Sequence, residues 1–125
     1  MTTMNCSIAI IQAIHTFVNA ADTRNTSVLA AVMHDAYQNI QDGFFEQKGI
    51  FIFSKTRYIE LIETKRFGGS PRTIKIESID ERGNIAIAKV ILESELLCFS
   101  SNITLVNENS EWKVLYNVPN IRKKS

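Results

Sequence analysis

Residues 84–92 read NIAIAKVIL, and this segment leaves water almost no face to wet. Alternation along a β-strand sends Ala86, Ala88, Val90 and Leu92 to one side and Ile85, Ile87 and Ile91 to the other. A half-exposed strand alternates apolar with polar residues, so this one belongs in a sheet whose two faces are both covered. One face belongs to the chain's own core. The other raises the question of a partner.

The segments around it set the fold class. Residues 5–21 carry Ile10, Ile11, Ile14, Phe17, Val18 and Ala21 at helical spacing, with Gln12, Thr16 and Asn19 opposite, which predicts an amphipathic helix. After DTRNTS, with Asn25 or Thr26 as N-cap, SVLAAVM reads as a short second helix. HDAYQNIQ is extended, DGFFEQKG is a wide hairpin connection, and IFIF is a short strand. Ser54 caps a third helix, KTRYIELIETKRF, which Gly68 and Gly69 end. From Pro71 onward come four strands: RTIKIESI, NIAIAKVIL, LLCFSSNITLV and EWKVLYNV. Strands grouped after helices, in the order α-α-β-β-α-β-β-β-β, predict an α+β domain with a mostly antiparallel sheet. Residues 1–125 read as one domain, with a core over 5–118 and a tail at 119–125.

Composition narrows the partners. Lys and Arg number 14 against 13 Asp and Glu, so no overall field selects nucleic acid or an anionic membrane. No apolar run is long enough to span a bilayer, and the apolar start has no basic residue before it and no cleavage site. Cys6 and Cys98 form no metal spacing and read as small buried residues in a reducing, cytoplasmic setting. His15 and His34 lack ligand partners at metal spacing, and no glycine loop precedes a helix, so neither a metal nor a cofactor is expected.

Parity then assigns faces. A four-residue loop NENS would pair Leu105 with Trp112, placing Phe99, Ser101, Ile103 and Leu105 on one face with Trp112, Val114, Tyr116 and Val118. Ser101 and Tyr116 would be neighbours in that apolar layer. Cys98, Ser100, Asn102, Thr104, Lys113 and Asn117 would lie behind it. A three-residue turn at Gly83 would set Ile74, Ile76 and Ser78 beside Ala86, Ala88 and Val90. Two successive inward alanines imply close helix packing, a cavity, or both. For Val90 and Ser101 to share a face, the turn between their strands needs an even residue count or a bulge.

The element order, with NAADTRNTSVLAAVMHDA, GNIAIAKV and SEWKVLYN, resembles the nuclear transport factor 2-like superfamily over roughly residues 8–118, nearest its lumazine-binding-like and polyketide-cyclase-like branches. The resemblance implies a cone: a curved sheet wrapped around the long first helix, with a pocket at the open end. Relatives often dimerise through the outer sheet face. Here that face would present Ile85, Ile87, Lys89 and Ile91 with Cys98, Ser100 and Asn102, and contiguous exposed apolar surface on a soluble chain favours a homodimer.

Members resembling ketosteroid isomerase use a tyrosine on the first helix and a carboxylate on the first strand. The corresponding positions here are Ile14, which has no proton to give, and Ile40, with Gln38 and Asp42 on the same face. Ser101 stands where many relatives carry an acid. What survives is a reduced constellation with Asp42 as base and Ser101 and Tyr116 as donors to a developing enolate. Asp42 as the solvated start of a loop is the competing expectation. Tyr58 either closes the pocket mouth or packs in the core. Trp112 reads as a core anchor, and Phe44–Phe45 either cap the pocket or pack on a partner. The leading expectation is a homodimeric binder of a small apolar or aromatic molecule, lined by Ile14, Gln38, Asp42, Tyr58, Ser101, Trp112 and Tyr116. An isomerase, cyclase or dehydratase and a protein-interaction module are the alternatives.

Overall fold

The apolar stripe of the first helix is buried along α1 (Thr2–Asp22), where Ile10, Ile14, Phe17 and Val18 are shut away from solvent; Ile11 lies off the stripe and is exposed. The structure is a computed structural model that describes residues 2–124 and the side chains of residues 8–124. The reading of the Cys6 side chain lies outside them. No helix among the described residues is long and apolar enough to cross a membrane.

Asn25 caps α2 (Thr26–Val32), its side-chain oxygen accepting the Val28 N–H. The chain then enters β1 (Met33–Phe44) and β2 (Gln47–Ser54). Ser54 caps α3 (Lys55–Glu63) by accepting the Arg57 N–H at 3.2 Å. Four strands follow: β3 (Thr73–Arg82), β4 (Ile85–Glu93), β5 (Leu97–Glu108) and β6 (Glu111–Lys123). They form one curved six-stranded sheet in the order β2-β1-β6-β5-β4-β3, antiparallel except where β1 runs parallel to β6. The α+β architecture matches the sequence reading.

Boundaries and registers differ in instructive ways. DGFFEQKG is no wide connection: Phe44 pairs with Gln47 across a tight turn in which Phe45 adopts φ of 56°. The third helix stops at Glu63, and Gly68 serves a close approach rather than a cap. A Cβ there would run into the Ala21 carbonyl oxygen at the end of α1. The expected tail is strand, since β6 pairs with β5 as far as Lys123.

In NENS only Asn109 and Ser110 form the turn, both at positive φ, so Glu108 faces Glu111 and Leu105 faces Val114. A bulge then adds one residue to β6, and Thr104 meets Tyr116. Beyond it the facing alternates in the opposite phase: Asn117 and Pro119 turn inward, while Tyr116 and Val118 turn out. A second bulge near Glu77 sets Ile76 against Val90 and Ile79 against Ala88, and sends Ser78 out beside Lys89. Ser94 to Leu97 make the even-count reversal that Val90 and Ser101 require to pair without a bulge.

Ala86 and Ala88 are fully buried in the main core with Phe17, Ile103, Leu105 and Val114. On the back of β4, Ile85 and Ile87 are exposed and Ile91 is half-buried.

Candidate ligand-binding interior

Alternation on β1 points Tyr37, Asn39 and Gln41 into the fold, all buried, and leaves Gln38 and Asp42 exposed on the outer face with half-buried Ile40. The Asn39 amide donates to the Tyr37 hydroxyl at 3.3 Å, and the Gln41 amide donates to Asn39 Oδ1 at 2.8 Å. Asn39 pairs with Asn117 across the parallel β1–β6 ladder, and Asn117 pairs with Ile103, two residues from Ser101. Five inward polar side chains therefore sit on three adjacent strands. Two of their atoms, Ser101 Oγ and Asn117 Oδ1, are buried without a hydrogen-bond partner among the described residues. Ser101 lies between Val90 and Pro119, whose side chains offer no hydrogen-bonding atom.

Tyr37, the first residue of this row, also belongs to a cluster of aromatic rings. Tyr37 lies 5.3 Å from Tyr58, and Phe17 lies 5.8 Å from Tyr37 and 6.2 Å from Tyr58, centroid to centroid. Phe67, from the segment between α3 and β3, continues the cluster at 5.8 Å from Tyr58 and 5.9 Å from Phe44. Phe44 is buried against Phe51, Phe53 and Phe67, whereas Phe45 projects into solvent with the Arg66 guanidinium over its ring. Burial pushes the Tyr37 phenol well above its ordinary range and the nearby Tyr58 phenol adds to the rise, while the Asn39 and Asn117 amides oppose it. Tyr37 stays protonated.

A buried ion pair borders the cluster. Arg72 donates from Nε to Asp22 Oδ1 at 2.7 Å and from its backbone N–H to Asp22 Oδ2 at 3.0 Å. Burial raises the Asp22 pKa, and the Arg72 charge and hydrogen bonds only partly offset that. Arg24 holds the same segment by donating to the Phe67 and Gly68 carbonyls.

The expected site residues therefore divide. Ile14, Tyr58 and Ser101 face the interior. Trp112 is buried at the floor of a separate open groove of about 380 Å³ between α1, α2 and the start of β6. Gln38, Asp42 and Tyr116 lie on the outer side of the sheet, because β1 presents its odd positions inward and the β6 bulge reverses Tyr116. Asp42 and Ser101 consequently occupy opposite faces, and the enolate-stabilising constellation is not assembled. Of the expected back-face residues, Cys98 is buried and unpaired, while Lys89 and Asn102 are exposed and Ser100 half-buried. His15 is exposed. His34 is tied by Nε2 to Glu108 at 2.8 Å and by Nδ1, which accepts the Ala36 N–H. No group of His, Cys, Asp and Glu that could hold a metal ion occurs among the described residues.

The sequence reading missed Tyr37, Asn39, Gln41 and Asn117, and also Asp22 and Arg72. The alternating Y-x-N-x-Q of β1 was the available signal for the first three. Nothing local marks Asp22 and Arg72, which are separated by fifty positions and meet only in the fold.

A curved sheet packed on a long N-terminal helix is the cystatin-like fold of nuclear transport factor 2-like proteins. The solved structures agree. A nuclear transport factor 2-like protein of unknown function from Silicibacter pomeroyi superposes with a TM-score of 0.85 at 19% identity, covering 98% of this chain and 100% of that one. One from Shewanella baltica gives 0.84 at 13% identity, covering 99% of each. A cystatin-like protein of unknown function from Nostoc punctiforme gives 0.76 at 11%, covering 93% and 90%. No curated protein matches the sequence. The chain belongs to the family described as "Putative lumazine-binding", whose model matches residues 7–118.

Proposed function

We propose that this protein binds a small aromatic molecule in the concave interior and does so as a cytoplasmic homodimer. The observation that carries the binding reading is the pair Ser101 Oγ and Asn117 Oδ1, buried and unpartnered in a fold interior that also holds the Tyr37 and Tyr58 rings. A buried polar group left without a partner costs about 1–3 kcal/mol, and a ligand that supplies the partners recovers it. The rings lie in mutual contact, so binding requires side chains of the cluster to move apart. The corrected lining is Tyr37, Asn39, Tyr58, Ser101 and Asn117.

Thermal shift and native mass spectrometry against a panel of small aromatics test this reading. A ligand at a hundredfold excess over its Kd adds about 2.7 kcal/mol of stability. Loss of that gain in Asn117→Leu, with the same compound still stabilising Asp42→Asn, supports the interior site. A panel without saturable stabilisation, or binding indifferent to Asn117, overturns it.

The dimer reading rests on the back of the sheet. Ile87, Thr104 and Tyr116 align across β4, β5 and β6, Tyr116 pairs with Gln38, and Ile50 and Ile52 extend the exposed apolar surface on β2. The bulge in β6 enlarges that patch by moving Tyr116 and Val118 onto it. Sedimentation should give a dimer at micromolar concentration and a folded monomer for Ile87→Lys. A monomeric wild type ends this part of the reading.

A further inference from the structure

The buried ion pair suggests what kind of molecule enters. Arginine–carboxylate pairs are frequently bidentate, held by two parallel N–H bonds from the guanidinium fork. Arg72 does otherwise. Asp22 takes one bond from Nε and one from the Arg72 backbone N–H, and neither terminal guanidinium nitrogen bonds a described residue. The side chain is largely buried, and its guanidinium carbon lies 4.8 Å from the centroid of Phe99. Phe99 and Ser101 are successive inward residues of β5. The Arg72 charge also acts on both phenols: it lowers the Tyr58 pKa against the dominant effect of burial, and it contributes weakly at Tyr37. The guanidinium thus lies over Phe99, beside the inward row of β5, with its orientation fixed by Asp22 and its outer donors uncommitted.

Other cations among the described residues are placed differently. Arg24 is committed to the Phe67 and Gly68 carbonyls, Lys55 to the Met33 carbonyl and Asp35, and Arg66 lies over Phe44 and Phe45. Farther in, Asn117 Oδ1 is an acceptor and requires a donor, while Ser101 Oγ serves as either.

Resting on the reading of the interior as a ligand site, we propose that the molecule it takes is an aromatic acid. Its carboxylate lies on the terminal nitrogens of Arg72, its ring between the Tyr58 and Phe99 side of the cluster, and a hydroxyl or N–H at its far end donates to Asn117. Asp22 supplies no ligand contact. It positions the guanidinium and keeps the uncharged site from burying a lone cation.

The test compares 4-hydroxybenzoate with 4-hydroxybenzamide, which match in size and hydroxyl and differ in charge. Isothermal titration calorimetry should show the acid binding roughly tenfold tighter or more, because the charge-assisted bonds are absent in the amide. Acid binding should shift the Arg72 Nε and Tyr58 ring resonances in NMR spectra. In the double variant Arg72→Gln/Asp22→Asn, which replaces the ion pair by a neutral one, the preference should fall below about twofold while amide affinity is retained. Thermal melting of that variant establishes that it folds, and Arg72→Lys supplies a second test: a charge without the planar fork should weaken acid binding but preserve its sign. Equal affinity for acid and amide overturns the proposal and leaves the interior site standing. A preference that survives in the double variant, or shifts confined to surface lysines, also overturns it. Should neither compound bind while apolar aromatics stabilise the protein, only this proposal falls; should nothing from either set bind, the interior reading falls with it.

Discussion

Two stretches of the same interior, side by side on β5, are built on different rules. Around Ile103 and Leu105, the inward neighbours Ala86, Ala88 and Val114 are apolar and fully buried, with Asn117 opposite Ile103 at the border of the region. From Ser101 outward across β6 and β1, the sheet presents Asn117, Asn39 and Gln41 inward, the rings of Tyr37 and Tyr58 pack on each other beside them, and two polar atoms stay unpaired. Packing has been completed in the first region. In the second, polar groups occupy buried positions that leucine or valine would fill more stably.

Mutating the two regions should break or sharpen this contrast. The largest effect is expected for Phe17→Ala, which removes the ring joining the two regions and should cost about 3–5 kcal/mol in urea denaturation. Ile103→Ala should cost roughly 2–5 kcal/mol by the same measurement. Gly68→Ala should lose about 1–3 kcal/mol, because its left-handed φ and the Ala21 carbonyl leave no place for a methyl group. Its damage belongs to the polar region's border and should show as faster hydrogen exchange over residues 64–72.

A smaller effect concerns pH. The folded Asp22 pKa lies above its ordinary value of 3.8, so the native state holds the proton more tightly than the unfolded chain. Stability from this group is present below pH 3.8 and lost as pH rises through the folded value. Wild type should therefore lose stability relative to Asp22→Asn as pH increases across that window, and a difference that is flat or opposite in slope would refute it. The smallest change is expected at Ser101→Ala: within about 1 kcal/mol of wild type and of stabilising sign, since it deletes an unpaired buried hydroxyl. If Ser101→Ala instead costs as much as Ile103→Ala, the two regions do not differ in the way described.

Much of the architecture was legible beforehand. The stripe on α1, the Asn25 and Ser54 caps and the four C-terminal strands follow from local periodicity, and the structure keeps each of them; the back of β4, expected to be covered, leaves Ile85 and Ile87 exposed. The candidate site was legible only in part. Ser101 is on the inward face expected of it, because no irregularity intervenes between β4 and β5, and Tyr58 is buried, in keeping with the core-packing one of its two expectations. Tyr116 was misplaced by a single inserted residue, and Asp42 by the choice of which alternation on β1 faces inward.

The amino-acid sequence alone determined the kinds and order of the elements, because helical and strand periodicity are properties of neighbouring residues. It also determined that β4 would be apolar on both sides. Only the tertiary structure decided which polar residues share the interior. A bulge of one residue inverts every side chain beyond it, and its position is chosen by how the bent sheet meets the helix rather than by any local preference. The meeting of Asp22 with Arg72 is of the same kind: two charges from distant segments become a pair because burial leaves each no better partner.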